Sequence, residues 1–172
     1  MFFYLENRAL LRVSGSDAES FLQGQFSNDI KELNASSVQL NAYCQHQGKI
    51  LALFWVMKHE DGFYLSFPLD LLESIQPRLK MFIIMSDVLI DDLTSSHIQI
   101  GAIDESHHKA YEINDKLSLI IENKNDSNQF NLGAIDIWNM ACIDSSLPEI
   151  YLQTSEKLVP QMLNLDIDEI GV

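Results

Sequence analysis

The chain offers five histidines, two cysteines and 25 carboxylates against 11 basic residues, so the first question is whether their spacing builds a reactive site. A metal centre needs ligands that converge. His107 and His108 are adjacent, so they face opposite sides of a strand or diverge by about 100° on a helix, and Asp91-Asp92 share that defect. Cys44 and Cys142 lie far apart and lack the clustered CxxC spacing of a zinc site, so two reduced and mostly buried thiols are expected. A serine hydrolase would show a GxSxG elbow and a phosphate-cradling loop a glycine-rich run; neither occurs among the seven glycines. The expectation is therefore no metal and no catalytic residue. Two polar clusters set in apolar surroundings are the unusual segments. One is Phe21-Leu22-Gln23-Gly24-Gln25-Phe26-Ser27-Asn28-Asp29-Ile30, and the other is Ala42-Tyr43-Cys44-Gln45-His46-Gln47-Gly48-Lys49. The amides of Gln23, Gln25 and Asn28 satisfy buried backbone groups or, alternatively, line a pocket for a polar heterocycle.

The elements that must position these residues are legible from pattern. Arg8–Val13 reads as a strand ending at Ser14-Gly15. Ser16 is then placed to cap a short helix, Asp17–Gln23, with Glu19 in its first turn. Val38–Cys44, Lys49–Lys58 and Phe63–Phe67 predict a three-stranded antiparallel meander, turning at Gln45-His46-Gln47-Gly48 and Glu60-Asp61-Gly62. The middle strand is apolar on both faces (Ile50 to Val56), so both faces should be covered. A helix should follow Pro68, because Leu69, Leu72, Ile75, Leu79, Phe82 and Ile83 recur at helical spacing, and Pro77 should break or kink it near Gln76. Further strands are predicted at Val88–Ile90, Ile98–Ile103, Leu117–Ile121 and Gln129–Leu132, with a polar loop at Glu122–Asn128. A helix is predicted at Ile135–Ile143, burying Ile135, Trp138, Met140 and Cys142. The last residues, from Asp166 to Val172, read as the approach to another strand. The class is α+β with mostly antiparallel strands and packed helices.

At 172 residues the chain fits one domain with a sizeable core, and 47% apolar against 21% charged residues makes it globular. Its net charge of −14 disfavours direct contact with nucleic acid or an anionic membrane, both of which need a basic face. The charge is uneven. Residues 1–86 hold nine acids and seven bases, whereas residues 87–172 hold sixteen acids and four bases, so an anionic ligand should dock on the first half. No secretory signal is visible and no apolar run is long enough to span a bilayer, so a soluble, cytoplasmic protein is expected.

One set of motifs is more specific. Leu11-x-Val13-Ser14-Gly15-x-Asp17-Ala18-x-x-Phe21-Leu22-Gln23-Gly24-Gln25-x-x-x-Asp29-Ile30 leads into Ala42-Tyr43-Cys44-x-x-x-Gly48-Lys49. Asp61-Gly62-Phe63, Leu79-Lys80-Met81-Phe82-x-x-x-Ser86-Asp87-Val88, Leu147-Pro148-x-Ile150 and Pro160-Gln161-Met162-Leu163-Asn164-Leu165 follow. Together they resemble the YgfZ-type folate-binding proteins, relatives of the glycine-cleavage T-protein (aminomethyltransferase). The match covers both ends of the chain, thins over residues 95–135 and is strongest in residues 1–90. It implies one folate-binding domain over residues 1–172, related to the N-terminal part of the aminomethyltransferases. The family's KGCYxGQE signature would begin within a few residues of Val172 and be followed by a C-terminal barrel. The chain is therefore expected to be the front portion of a longer protein or a shortened relative, and neither Cys44 nor Cys142 matches the signature cysteine.

The resemblance also implies a ligand. Aminomethyltransferases carry an aspartate near the folate N5, in a GGxxDD-like turn. The corresponding Gln47-Gly48-Lys49-Ile50-Leu51-Ala52-Leu53 has no carboxylate, so methylene transfer lacks its general acid. The implied role is the non-transferase one: binding tetrahydrofolate in the maintenance of iron–sulfur enzymes and, through them, tRNA modification. Alternatives are a folate-dependent one-carbon transferase using Asp29 or Asp87, and a non-catalytic interaction fragment. The expected folate-binding residues are Asp144, Tyr43, Trp55, Gln23 and Asn28. A pterin presents a 2-amino group and a ring N–H side by side, which a carboxylate accepts in bidentate fashion. Asp144 sits where the family places an acid before its Gly-x-Pro segment, and Tyr43 and Trp55 are rings able to stack on the ligand. For the ligand's glutamate tail, Arg12, Lys49, Arg78 and Lys80 remain equal candidates.

Overall fold

Short runs rich in apolar, β-branched and aromatic residues build two antiparallel sheets, and the computed structural model describes them over residues 1–126 and 130–165. The strands are β1 (Phe2–Tyr4), β2 (Arg8–Ser14), β3 (Val38–Cys44), β4 (Ile50–His59), β5 (Gly62–Pro68), β6 (Leu89–Asp92), β7 (His97–Ile103), β8 (Ala110–Glu112) and β9 (Leu117–Asn123). The helices are α1 (Ala18–Gln23), α2 (Leu72–Met81) and α3 (Ile135–Asp144). The five-stranded sheet runs β3-β4-β5-β2-β6 and the four-stranded sheet β1-β7-β9-β8.

The register fixes which side chains meet. Ser66 stands opposite both Leu10 and Trp55, so Leu10, Trp55, Met57 and Tyr64 share one face of the larger sheet and pack toward Phe3, Leu117 and Leu119 of the smaller one. The opposite face carries Leu11, Phe54, Leu65 and Phe67 and is covered by Phe21 and Leu22 of α1 and Ile75 and Leu79 of α2. Phe54 anchors this second core, stacked on Phe26 with centroids 4.9 Å apart and edge-on to Phe67 at 4.9 Å. β4 is buried from Ile50 to Met57, as a strand apolar on both faces requires.

Several expectations shift. Pro77 does not end α2: the helix runs on to Met81, with Ile75 and Leu79 buried on either side of the proline and Pro77 itself exposed. Ser16 does not cap α1. Its N–H and hydroxyl both donate to Asp87 Oδ2, at 3.1 and 2.9 Å, while Asp17 Oδ2 accepts the Asp87 N–H at 2.8 Å, so this exchange pins the turn to the segment between α2 and β6. β1 and β8, three residues each, are too short to show a period and are set by their partners β7 and β9. In α3 only Trp138 is buried; Ile135 and Met140 are exposed and Cys142 is half-buried. The predicted loop at Glu122–Asn128 begins later, since β9 continues to Asn123. The strand predicted at Gln129–Leu132 falls partly outside the described residues, where Leu132 makes a single bridge to Phe2, and the segment from Asp166 lies outside them.

Candidate functional site

α3 packs against β1 and β7, and between it and the start of β2 lies a cleft of about 840 Å3. Its walls include Trp55, Trp138, Cys142, Leu147 and Glu149, with Arg8 at its base. Trp138 is the wedge, edge-on to Trp55 at 6.4 Å and 6.1 Å from Phe3. It fits because residue 101 is glycine: a Cβ there would stand 2.6 Å from the indole ring.

The end of α3 delivers the acidic wall. Leu147 N–H donates to the Cys142 carbonyl at 3.0 Å and Ser146 N–H to that of Ile143 at 2.9 Å, the two reversed bonds of a Schellman cap, with Ser146 in the left-handed region at φ 54°. Pro148 follows and bars further helix. Ile150 is then wholly buried in the core on the far side of the larger sheet, which leaves Glu149 to face the cleft.

Arg8 is the first residue of β2 and only 8% exposed. Its guanidinium lies 3.8 Å from the Trp55 ring centroid, a cation–π contact worth about 2 kcal/mol when desolvated. Nε donates to Ser66 Oγ at 2.8 Å, Nη1 donates to Glu149 Oε1, and no bond from Nη2 occurs among the described residues. The chain of contacts continues on both sides. Ser66 Oγ donates to Gln99 Oε1 at 2.5 Å, and Gln99 Nε2 donates to the carbonyls of Arg8 and Ala9 at 3.3 and 3.1 Å. Glu149 Oε2 accepts the Tyr151 hydroxyl at 2.6 Å. Burial brings the Arg8 pKa down to about 10, with Cys142 and Tyr151 acting the other way, so the group stays cationic at neutral pH.

Cys142, beside it, is pushed up to about 11 by burial, with Arg8 acting in the opposite direction. At pH 8 its thiolate fraction is about 100-fold below that of an ordinary thiol. Iodoacetamide at pH 8 is therefore expected to label Cys142 about 100-fold more slowly than free cysteine, the rate rising with pH toward 11. Peptide mass spectrometry of a time course checks this, and labelling at the free-thiol rate would show that the side chain is not held as described.

Of the five residues expected to meet folate, the cleft takes one. Trp55 lines it. Asp144 is exposed at the last residue of α3, next to cleft-lining Ile143. Tyr43 stands opposite Ala52, on the other face of the sheet from Trp55, where it is 3% exposed and close enough to Arg78 to feel its charge. One ring cannot lie between Tyr43 and Trp55. Gln23 Oε1 accepts the Ile30 N–H at 2.8 Å and Asn28 Nδ2 donates to the Leu40 carbonyl at 2.7 Å, so both amides brace backbone on that far face. Arg12 pairs with Asp91 at 2.8 Å, and none of Arg12, Lys49, Arg78 and Lys80 lines the cleft. Pattern reading missed Arg8, which looked like an ordinary strand opening, and Glu149, which fell on the unspecified position of the Leu147-Pro148-x-Ile150 motif. The available signal was a charged residue at the head of an otherwise apolar strand.

No family model matches the chain. An uncharacterized protein of Haemophilus influenzae is 34% identical over 177 residues, covering 99% of this chain and 62% of that protein. The tRNA-modifying protein YgfZ of Aliivibrio fischeri is 24% identical over 185 residues, 94% of this chain and 58% of that protein. The protein of the same name from Photobacterium profundum is 23% identical over 194 residues, 94% of this chain and 57% of that protein. The chain thus spans about three-fifths of the length of these relatives. Among solved structures, the glycine cleavage system aminomethyltransferase T from Bartonella henselae superposes with a TM-score of 0.53 at 16% identity, over 58% of this chain and 27% of that one. The fold is that of the aminomethyltransferases, and the relatives support a YgfZ-like family.

Proposed function

We propose that this chain is the folate-binding part of a YgfZ-like protein. It binds tetrahydrofolate without catalysing a reaction of its own, serves the maintenance of iron–sulfur enzymes in the cytoplasm and reaches tRNA modification only through them. The observation that carries the ligand reading is the cleft. Its volume lies within the range of small-molecule sites, and its walls are apolar and aromatic with a few convergent polar groups. Trp55 and Trp138 provide the wall for the aminobenzoyl ring, and Asp144, exposed at the end of α3 and one residue beyond cleft-lining Ile143, accepts the amino and ring N–H edge of the pterin. Exposed Ile137, Met140 and Ile143 on α3 suit contact with a client protein.

The one-carbon-transferase reading finds less support. The Gln45–Lys49 turn has no acid and does not line the cleft. Asp29 caps its own turn by accepting the Lys31 N–H, and Asp87 is held by Ser16; neither faces the cleft. Isothermal titration with 5-formyltetrahydrofolate tests the proposal. One ligand is expected per chain, with Asp144→Ala weakening binding about ten-fold for the loss of one charge-assisted contact. A folded sample that takes up no heat-detectable ligand, or production of methylenetetrahydrofolate from a one-carbon donor, would sink it.

A further inference from the structure

Arg8 is the one basic residue among those lining the cleft, and it is buried. A buried guanidinium needs a carboxylate, and here the chain supplies one from a distant segment: Glu149, 141 positions away. The two halves of the pair are held differently. Arg8 is fixed from behind by Ser66, Gln99 and the face of Trp55. Glu149 lies in an irregular stretch after α3, is 25% exposed at its side chain, and among the described residues its second oxygen is held by the hydroxyl of Tyr151 alone, itself 47% exposed. The cation is built in, whereas the anion is on a loose mounting.

We infer that the Arg8 end of the cleft is a site for a ligand carboxylate, and that Glu149 occupies it until the carboxylate of an aryl-bearing acid takes its place. The exchange keeps one negative group on the guanidinium throughout, so it avoids leaving a buried charge unpaired, while Glu149 swings with Tyr151 toward solvent. An uncharged ligand gains no such exchange, which selects for the acid. Nη2, without a hydrogen bond among the described residues, supplies the second donor that lets a carboxylate bind Arg8 through both oxygens. For the identity of the acid the inference rests on the folate reading, where the aminobenzoyl-glutamate half carries the carboxylates. It replaces the four exposed or otherwise engaged cations of the first half with one that faces the cleft.

The test is titration of the 172-residue chain with 4-aminobenzoyl-glutamate, its dimethyl ester and 5-formyltetrahydrofolate. Glu149→Gln and Tyr151→Phe are both expected to bind the two acids more tightly than the unaltered chain, about ten-fold for Glu149→Gln, because the internal competitor is weakened. Arg8→Lys should bind them about ten-fold more weakly, since an ammonium cannot reproduce the fork, and the ester should be insensitive to all three changes. Tyr151 is exposed, so Tyr151→Phe keeps the test open if Glu149→Gln unfolds. Binding of 5-formyltetrahydrofolate that is unaffected by any of the three overturns the inference and leaves the folate reading standing. Tighter binding of aminobenzoyl-glutamate without any binding of the reduced folate supports the inference and overturns the folate reading. No binding of either acid to any variant overturns both.

Discussion

Trp138→Ala is expected to destabilise the chain by about 3–5 kcal/mol, the range for truncating a buried tryptophan that leaves a cavity. For a domain of this size that lowers the melting temperature by about 10 °C or more. Trp138 is 4% exposed and is the only residue of α3 that is buried, so nothing else on the helix can replace its hold. It rests on Gly101 and meets Trp55 and Phe3. The cleft should be lost with it, because α3 carries Cys142 on one wall and leads directly into Glu149. Thermal unfolding by circular dichroism gives the first reading and the alkylation rate of Cys142 gives the second, with faster labelling expected. A companion substitution separates docking from bulk hydrophobicity. Gly101→Ala places a methyl group 2.6 Å from the indole and should be costly alone, yet nearly neutral once residue 138 is alanine. A melting temperature within about 3 °C of the parent for Trp138→Ala, or additive costs in the pair, would show that the helix is not held this way.

The larger sheet was legible because its evidence is local. β-rich runs separated by Gly-containing turns specify β3, β4 and β5, and the run from Ile50 to Met57 announced a strand covered on both faces. The site was not legible, because it is made by chain segments that no local rule connects. Arg8 meets Glu149 across 141 positions and Ser66 across 58. Tyr43 and Trp55 illustrate the limit from the other side. Both are aromatic and lie in adjacent strands, and only the pairing of Tyr43 with Ala52 and of Trp55 with Leu40 shows that they face opposite ways. The amides of Gln23 and Asn28 were ambiguous for a similar reason: the same group that reads a heterocycle also braces a backbone N–H or carbonyl. The charge asymmetry was informative but coarse. It pointed to a cation in the first half, and the cation in the cleft is one whose burial no composition count reveals. In α3, the spacing of Ile135, Trp138, Met140 and Cys142 suggested a buried row, whereas the helix lies at the surface and commits only its indole.

Gln99→Met is expected to cost about 2–4 kcal/mol despite preserving most of the side chain's volume, because the loss falls on hydrogen bonds and not on packing. Gln99 is 3% exposed and belongs to β7, in the smaller sheet, but all three of its side-chain bonds reach the larger one. Its Nε2 serves the Arg8 and Ala9 carbonyls, and its Oε1 takes the Ser66 hydroxyl proton. Methionine leaves two carbonyls and one hydroxyl without those partners in a dry interface, at about 1–3 kcal/mol for a group that finds no substitute. The consequence for the cleft follows from direction. With Gln99 present, the Ser66 proton points at Oε1 and a lone pair of Oγ is presented to Arg8 Nε. Without Gln99 the hydroxyl is free to rotate, and Arg8 loses the rear support that sets its plane over Trp55. Ser66→Ala removes the same support from the other side, so the two changes should be strongly non-additive, with a coupling of about 1 kcal/mol or more in a double-mutant cycle. Urea unfolding of the four proteins measures this directly. Ligand titration supplies the readout that a merely structural role would not move: Gln99→Met should weaken acids more than their esters, since only the acids depend on Arg8. A cost below about 0.5 kcal/mol, or additive behaviour with Ser66→Ala, would mean that the two sheets are held together by apolar contacts alone and that Arg8 orients itself.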